Sequence, residues 1–440
     1  MTAETVDLRV EGIAVGGSGF GRTESGRVVF VPGSAPGDRL RAELTERRKR
    51  WARGRIVELY ERGPGRVEPE CPHFGRCGAC RLMHLDEESQ HHALRRGVAD
   101  TLERIGHVSV PVLPVVGGER RLGYRNRVTF TVRRRGGRVY AGYHEVAGRR
   151  LVDVERCPLA EPAVARAWSE LRGAWGPGAA NLPPGAELRI TVRAGAGGDI
   201  GVFIVGGRAG GSGDADRRVE EGVATLAEAM SGLATLWWEA GDGTRRHMYG
   251  SATLPDRWDA CALELGPTAF VQVNREVAGL IESHLDERLG PPAGRGILDL
   301  YAGVGLRGLR WTARGGRVRS VEMNPEAIDA ARRAAREAGL DLELVQSTVE
   351  CALEAAAEGV DDIIVNPPRA GLSEEAVLAL RGIEATRLVY VSCDPATLAR
   401  DAARLAGAWS ARLAQPFDAF PHTGHVETVL WFERETGGAS

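Results

Sequence analysis

The chain has 440 residues, 43% of them apolar and 26% charged, with a formal net charge of −2; these are the proportions of a globular protein long enough for two or three domains. No apolar run reaches the ~20 residues that span a bilayer, and the opening MTAETVDLRVEG has neither the basic nor the apolar region of a signal peptide. A membrane protein is therefore disfavoured, and the expected compartment is the cytoplasm, where thiols stay reduced.

Residues 1–60 alternate short β-type runs at 6–10, 28–31, 39–44 and 53–59 with glycine turns. That spacing predicts a small barrel. The basic run Arg47 to Arg50, with Arg53 and Arg55, is expected on its surface. A solvated charged face is the plainer reading, but a small basic barrel joined to an enzyme more often holds a nucleic-acid backbone. The near-neutral total charge does not oppose this, because local patches decide such contacts.

Residues 61–85 form a loop rich in Cys, Gly and Pro, and 87–105 reads as one helix with Ala93, Leu94, Val98, Leu102 and Ile105 on its apolar side. From 110 to 265 the pattern is mixed and strand-rich, broken by Gly/Pro clusters at 175–185 and 206–214. It carries a second arginine concentration at Arg120, Arg121, Arg125, Arg127 and Arg133 to Arg135. From 266 onward strand and helix alternate, which predicts a parallel α/β sheet. The expected domains are thus 1–60, 61–265 and 266–440, with helix 87–105 a candidate to pack on the last.

Cys71, Cys77 and Cys80 lie in one polar loop, and Cys157 precedes Pro158. Structural zinc sites usually show two close pairs. One pair, one offset thiol and one remote thiol fit a [4Fe–4S] cluster better, with zinc or scattered buried thiols as alternatives.

Residues 297–301 read as a buried strand ending in Tyr301 and followed by Gly303, Gly305 and Gly308. Glycines there let the backbone turn tightly beside a ligand. The spacing also satisfies the G-x-G-x-x-G of nicotinamide-binding domains, but Asp299 and Tyr301 just before it favour adenosylmethionine. The next strand, 317–321, ends in Glu322, placed to accept hydrogen bonds from ribose hydroxyls. A later strand runs into Asn366-Pro367-Pro368-Arg369, a rigid turn that presents Asn366 toward a bound group.

Residues 388–392 form another strand, ending at Cys393-Asp394-Pro395. Taken alone, Cys393 is more often a core thiol than a nucleophile. Carbon 5 of uracil, however, is inert until a thiolate adds to C6 and makes the ring enolate-like. A base must then remove the C5 proton. Glu427, near the start of an alternating strand, can supply that carboxylate, although a surface glutamate is the plainer reading.

Together these pieces resemble the RNA uracil-C5-methyltransferases, in the branch with an N-terminal TRAM barrel and an iron–sulfur cluster. The resemblance covers essentially the whole chain. It rests on Gly123 to Arg127, Phe270-Val-Gln-Val-Asn274, Asp299 to Gly305, Val321 to Asn324, Asn366 to Gly371, Ser392-Cys-Asp-Pro-Ala-Thr-Leu-Ala-Arg-Asp401 and Phe420-Pro-His-Thr-Gly-His-Val-Glu427. It implies a Rossmann-like class I methyltransferase domain behind an OB-like barrel and a mixed central domain. It also implies Cys393 as nucleophile and Glu427 as proton acceptor. Gln272, Tyr301, Glu322 and Asn366 fall where the family contacts adenosylmethionine, and Cys71, Cys77, Cys80 and Cys157 where it holds a [4Fe–4S] cluster. Two positions depart from the family: Ala302 replaces a usual cysteine, and Asn366 a usual aspartate. The implied partner is RNA, 23S ribosomal RNA first and transfer RNA second, with the target base flipped out. A monomer with no obligate protein partner and no membrane contact is expected. The rival readings are an amino-group methyltransferase, opposed by Arg369 standing where an aromatic would stack, a non-catalytic RNA-binding factor, and a nicotinamide oxidoreductase.

Overall fold

The first sixty residues pair through glycine. Gly19 and Gly21 bring the strand Ser18–Arg22 so close to Ser34 and to the Arg9 backbone that a Cβ at either position would collide. This strand and its neighbour Gly12–Ile13 escape a sequence reading because glycine carries no β signal. In a computed structural model that describes residues 4–146, 148, 150–207, 213–258 and 261–435, these two join Thr5–Arg9, Val28–Pro32, Arg39–Arg47 and Trp51–Glu61 in a six-stranded sheet. Residues 208–212 of the expected glycine break lie outside the described residues.

Leu8, Val10, Val29, Val31, Leu40, Ala42 and Ala52 fill the core of this sheet. Arg47, the last residue of the strand Arg39–Arg47, is exposed, as are Arg48, Lys49 and Arg50 after it. Several basic side chains of this face are already paired: Arg47 with Glu4, Arg48 and Arg53 with Glu46, and Arg55 with Glu43.

The sheet belongs to a compact unit assembled from Met1–Glu119, Pro367–Leu372 and Val389–Ser440. Asp86 opens the unit's long helix, Glu87–Arg104, by accepting the Ser89 N–H at 2.8 Å, and two acidic residues follow in the first turn. The helix packs on Pro395–Leu405. Trp409–Asp418 and Glu427–Arg434 form an antiparallel pair, with Val116–Gly117 added in parallel.

The second unit comprises Arg120–Asn366 and Ser373–Leu388. The expected border at 265 thus falls inside one compact unit, because the strand-rich central segment and the parallel strands share it. The segment 61–119, expected in the central domain, belongs to the first unit. One part of the second unit is a seven-stranded sheet containing Arg127–Arg135, Glu187–Ala194, Ile200–Gly206 and Leu233–Glu239 as consecutive neighbours. Another part is a parallel array ordered Glu343–Gln346, Arg317–Glu322, Gly296–Leu300 and Asp362–Val365. Gly296–Leu300 is buried at every position, which accounts for its apolar character on either side of Asp299. The strand Arg387–Ser392 carries the chain back into the first unit.

Candidate active site

In parallel sheets, loops at the carboxyl ends of strands collect ligands. Tyr301, Glu322 and Asn366 stand at the carboxyl ends of three adjacent strands. Tyr301 (φ 59°), Gly303 (57°) and Gly305 (69°) are all left-handed, which folds the loop back sharply. Glu322 ties that loop down, accepting the Gly303 N–H at 2.9 Å and the Asn324 N–H at 2.8 Å. A carboxylate has about four acceptor positions, so it retains capacity for a ligand's hydroxyls.

Gly308 serves packing: a Cβ there would lie 2.6 Å from the Ser320 hydroxyl and 2.9 Å from Leu342. Asp299, wholly buried one residue inside the strand end, has its pKa pushed up to about 7 by desolvation, with Glu282 and Glu322 adding to the rise and Arg307 opposing it. Gln272 is half-buried, and its carbonyl accepts the Asn126 side-chain amide at 3.0 Å. Nearby Phe270 is 51% exposed, its carbonyl borders Gly303, and the Arg127 guanidinium lies 5.7 Å from its ring. The Asn366 N–H donates to Leu300 at 3.2 Å.

The first unit holds the sulfur. Half-buried Cys393 ends its strand, and Asp394 caps the following helix by accepting the Ala396 and Thr397 N–H groups, each at 2.9 Å. Burial pushes the Cys393 thiol up, and the Glu427 charge pushes it the same way. Arg369, by its charge and a hydrogen bond to the thiol, opposes both. Glu427 is 3% exposed, not the surface residue of the plainer reading.

The surroundings are knitted together by Asp401, which accepts from the Leu372 N–H and the Tyr390 hydroxyl, both at 2.8 Å. The loop before Glu427 is pinned as well. The His422 carbonyl accepts from Arg81 at 3.0 Å and Leu82 at 2.9 Å, and its N–H donates to Gln90 at 3.1 Å. Sequence reasoning used Arg369 only to exclude a stacking aromatic, and it missed Gln90. The signal for Gln90 was a polar residue on the apolar side of a helix.

Cys71 and Cys80 are partly exposed and Cys77 is buried in a loop of short turns, while Cys157 belongs to the second unit. None of the seven cysteines is joined in a disulfide. Among the described residues, no three His, Cys, Asp or Glu side chains are gathered closely enough to hold a metal ion. The thiols therefore form no ready-made cradle.

Three family models match: a TRAM domain over 1–57, a methyltransferase small domain over 278–388 and a tRNA (uracil-5-)-methyltransferase model over 349–435. The 23S rRNA (uracil(1939)-C(5))-methyltransferase RlmD of Chromohalobacter salexigens is 34% identical, over 98% of this chain and 89% of that protein. The chain belongs to the RNA uracil-C5-methyltransferase family. An uncharacterised RNA methyltransferase of Thermosynechococcus vestitus is 30% identical to this methyltransferase over 97% of both chains. The crystal structure of the Pyrococcus abyssi tRNA (uracil-54, C5)-methyltransferase in complex with S-adenosyl-L-homocysteine superposes with a TM-score of 0.74, at 26% identity, covering 97% of this chain and 99% of that one. The expected TRAM segment and class I methyltransferase α/β domain are thereby borne out, and the enzyme is adenosylmethionine-dependent. Membership sets aside the amino-group, nicotinamide and non-catalytic readings.

Proposed function

We propose that this RNA uracil-C5-methyltransferase modifies a uridine of 23S ribosomal RNA through a covalent bond from Cys393. The observation that carries the mechanism is the grouping of one thiol with an arginine and a buried carboxylate. Arg369 favours the thiolate. The thiolate adds to C6, forming the Cys393–C6 bond and moving the ring's electron pair toward O4 and C5. C5 takes the electrophilic methyl group of adenosylmethionine, whose methyl–sulfur bond breaks to leave S-adenosylhomocysteine. Glu427 then accepts the C5 proton, and the returning electrons break the Cys393–C6 bond. Gln272, Tyr301, Glu322 and Asn366 are the proposed contacts to the methyl donor. An amide at 366 keeps one acceptor oxygen without the negative charge.

Residues 1–60 and the arginines of the central segment are the proposed grip on RNA phosphates, and 266–440 the methyl-transfer segment. A [4Fe–4S] cluster on Cys71, Cys77, Cys80 and Cys157 is part of this reading on donor chemistry alone, since none of the four is joined in a disulfide and three share one loop. Iron and sulfide analysis after anaerobic purification checks it, and stoichiometric zinc without iron rejects it.

The decisive experiment is incubation with 5-fluorouridine-containing RNA and adenosylmethionine. Fluorine at C5 cannot leave as a proton, so a stable protein–RNA adduct at Cys393 is expected, and its absence on a proven substrate removes the mechanism. Transfer RNA is the second reading, carried by the likeness to the Pyrococcus abyssi enzyme. Mapping 5-methyluridine in ribosomal and transfer RNA from cells lacking this gene decides between them.

A further inference from the structure

Four neighbouring strands of the second unit set Arg127, Arg193, Gly201 and Thr235 in one row across the sheet, each in register with the next. The adjoining row is Thr129, Thr191, Phe203 and Trp237. Register partners present their side chains to one face. Ile190, Val192 and Ala194 take the opposite face of the same strand, which explains its alternation.

The polar face is nevertheless largely covered. Leu254, Leu265, Gly266 and Pro267 wall off a small half-open hollow lined by Arg127, Thr191, Arg193, Phe203, Thr235 and Trp237. Gly201 keeps its floor open: a Cβ there would stand 3.3 Å from both Leu254 and Thr235.

The hollow contains donors with nothing to donate to. Arg193 is 7% exposed; its Nη1 donates to the Ala269 carbonyl at 3.0 Å, but Nε and Nη2 have no hydrogen-bond partner among the described residues. Asp256 Oδ2 forms an ion pair with Nη2 at 3.7 Å, longer than a hydrogen bond, and has no hydrogen-bond partner of its own among the described residues, while Oδ1 takes the Ala196 and Arg257 N–H groups and Arg275. The Thr235 hydroxyl is buried and likewise unmatched. The Arg127 guanidinium, 5.7 Å from the Phe270 ring, completes the cluster. Buried guanidinium donors left unmade are costly, and one carboxylate shared with Arg275 does not neutralise two further arginines. Burial, opposed by the Asp256 charge and helped by Arg127 and Arg275, lowers Arg193 to about 10, so it remains charged at neutral pH.

We propose that this hollow is a phosphate-binding subsite, occupied by one backbone phosphate of the substrate RNA strand. A forked guanidinium and a hydroxyl are suited to phosphate oxygens, and Phe203 and Trp237 offer flat surfaces to the adjoining nucleotide. Arg127 links the hollow to Phe270, two residues from Gln272. The choice of RNA as the source rests on the function proposed above; the anion chemistry does not.

The test uses the full chain with inorganic phosphate and, separately, an oligouridylate of about 20 nucleotides. Phosphate should raise the melting temperature saturably beyond chloride at equal ionic strength. Arg193→Gln and Thr235→Val, each confirmed folded by circular dichroism, should lose at least half of that rise. For oligouridylate, the slope of log Kd against log salt should fall by about 0.7 in Arg193→Gln. No phosphate-specific rise in the parent protein, or an equal rise in both variants, overturns the site. If Arg193→Gln does not fold, Thr235→Val decides on the phosphate rise, and Arg127→Gln takes its place in the oligouridylate titration. A rise lost in Arg193→Gln with an unchanged oligouridylate slope overturns the assignment to RNA in favour of a free phosphate compound. The fluorouridine adduct needs no phosphate titration, so either result can fail without the other.

Discussion

Gln90 and His422, 332 positions apart, meet through two contacts: the Gln90 carbonyl oxygen accepts the His422 N–H at 3.1 Å, and its amide nitrogen lies 3.2 Å from the imidazole. His422 itself is left-handed, with φ 69°. The pair fixes the loop that delivers Glu427. Gln90→Leu would strand the His422 N–H and the Leu85 carbonyl, which also depends on Gln90 at 2.8 Å, at a cost of about 1–3 kcal/mol. The expected outcome is a lower melting temperature and a reduced kcat at unchanged adenosylmethionine affinity. An unchanged kcat would show that the loop is held without this pair.

Cys393 and Glu427 give a pH prediction. The half-buried thiol beside a carboxylate has its pKa raised, and only the thiolate attacks, so the rate of fluorouridine-adduct formation should climb as pH rises from neutral into the alkaline range. Replacing Glu427 with Gln removes one cause of the rise and should move the profile to lower pH, whereas Arg369→Ala should move it higher. Coincident profiles for all three would separate these side chains from the thiol. Cys393→Ala should abolish methylation while sparing adenosylmethionine binding, and Glu427→Gln should leave protein attached to natural RNA.

Asp299 should be visible in stability. Folded, it keeps its proton up to about 7; unfolded, it releases it near 4. Between those values the folded state binds more protons, so stability falls as pH rises through the window and levels off above it. Asp299→Asn should flatten that fall, with each kcal/mol appearing as roughly 2–4 °C in melting temperature. Parallel curves for both proteins between pH 5 and 8 would refute the assignment.

Arg134 is a stability hub. Its guanidinium donates to five backbone carbonyls, those of Gly178, Ala179, Leu182, Pro183 and Gly185, at 2.6–3.2 Å. Arg134→Ala should cost about 2–4 kcal/mol in chemical denaturation. Lysine should recover only part of this, because its compact ammonium cannot reproduce the planar fork. A loss below 1 kcal/mol (roughly the value of one hydrogen bond) would mean that water replaces the arginine.

What the sequence discloses is local. Helix 87–105 was legible from its apolar spacing and ends within one residue of expectation, at Arg104, with Ile105 as its cap. The strand ends carrying Tyr301, Glu322, Asn366 and Cys393 were legible because an apolar run followed by glycine, acid or proline marks both the strand and its stop. The hollow around Arg193 was not. The alternation of Thr191 and Arg193 with Ile190 and Val192 gave the strand, but the row through Gly201 and Thr235 depends on register among four strands, and no local pattern encodes it. The anchor of the His422 loop was hidden for the same reason, since Gln90 lies 332 residues upstream.

The interleaved make-up of the first compact unit bears on biosynthesis. Its opening segment ends at Glu119, yet its last begins at Val389. At about 5–20 residues per second, translation separates the two by roughly a quarter of a minute to a minute. Throughout that interval the apolar stripe of Glu87–Arg104 has emerged without the helix Pro395–Leu405 that will cover it. The nascent chain therefore presents a sticky surface to chaperones well before Cys393 has been synthesised, and truncated products ending before Val389 should be prone to aggregation.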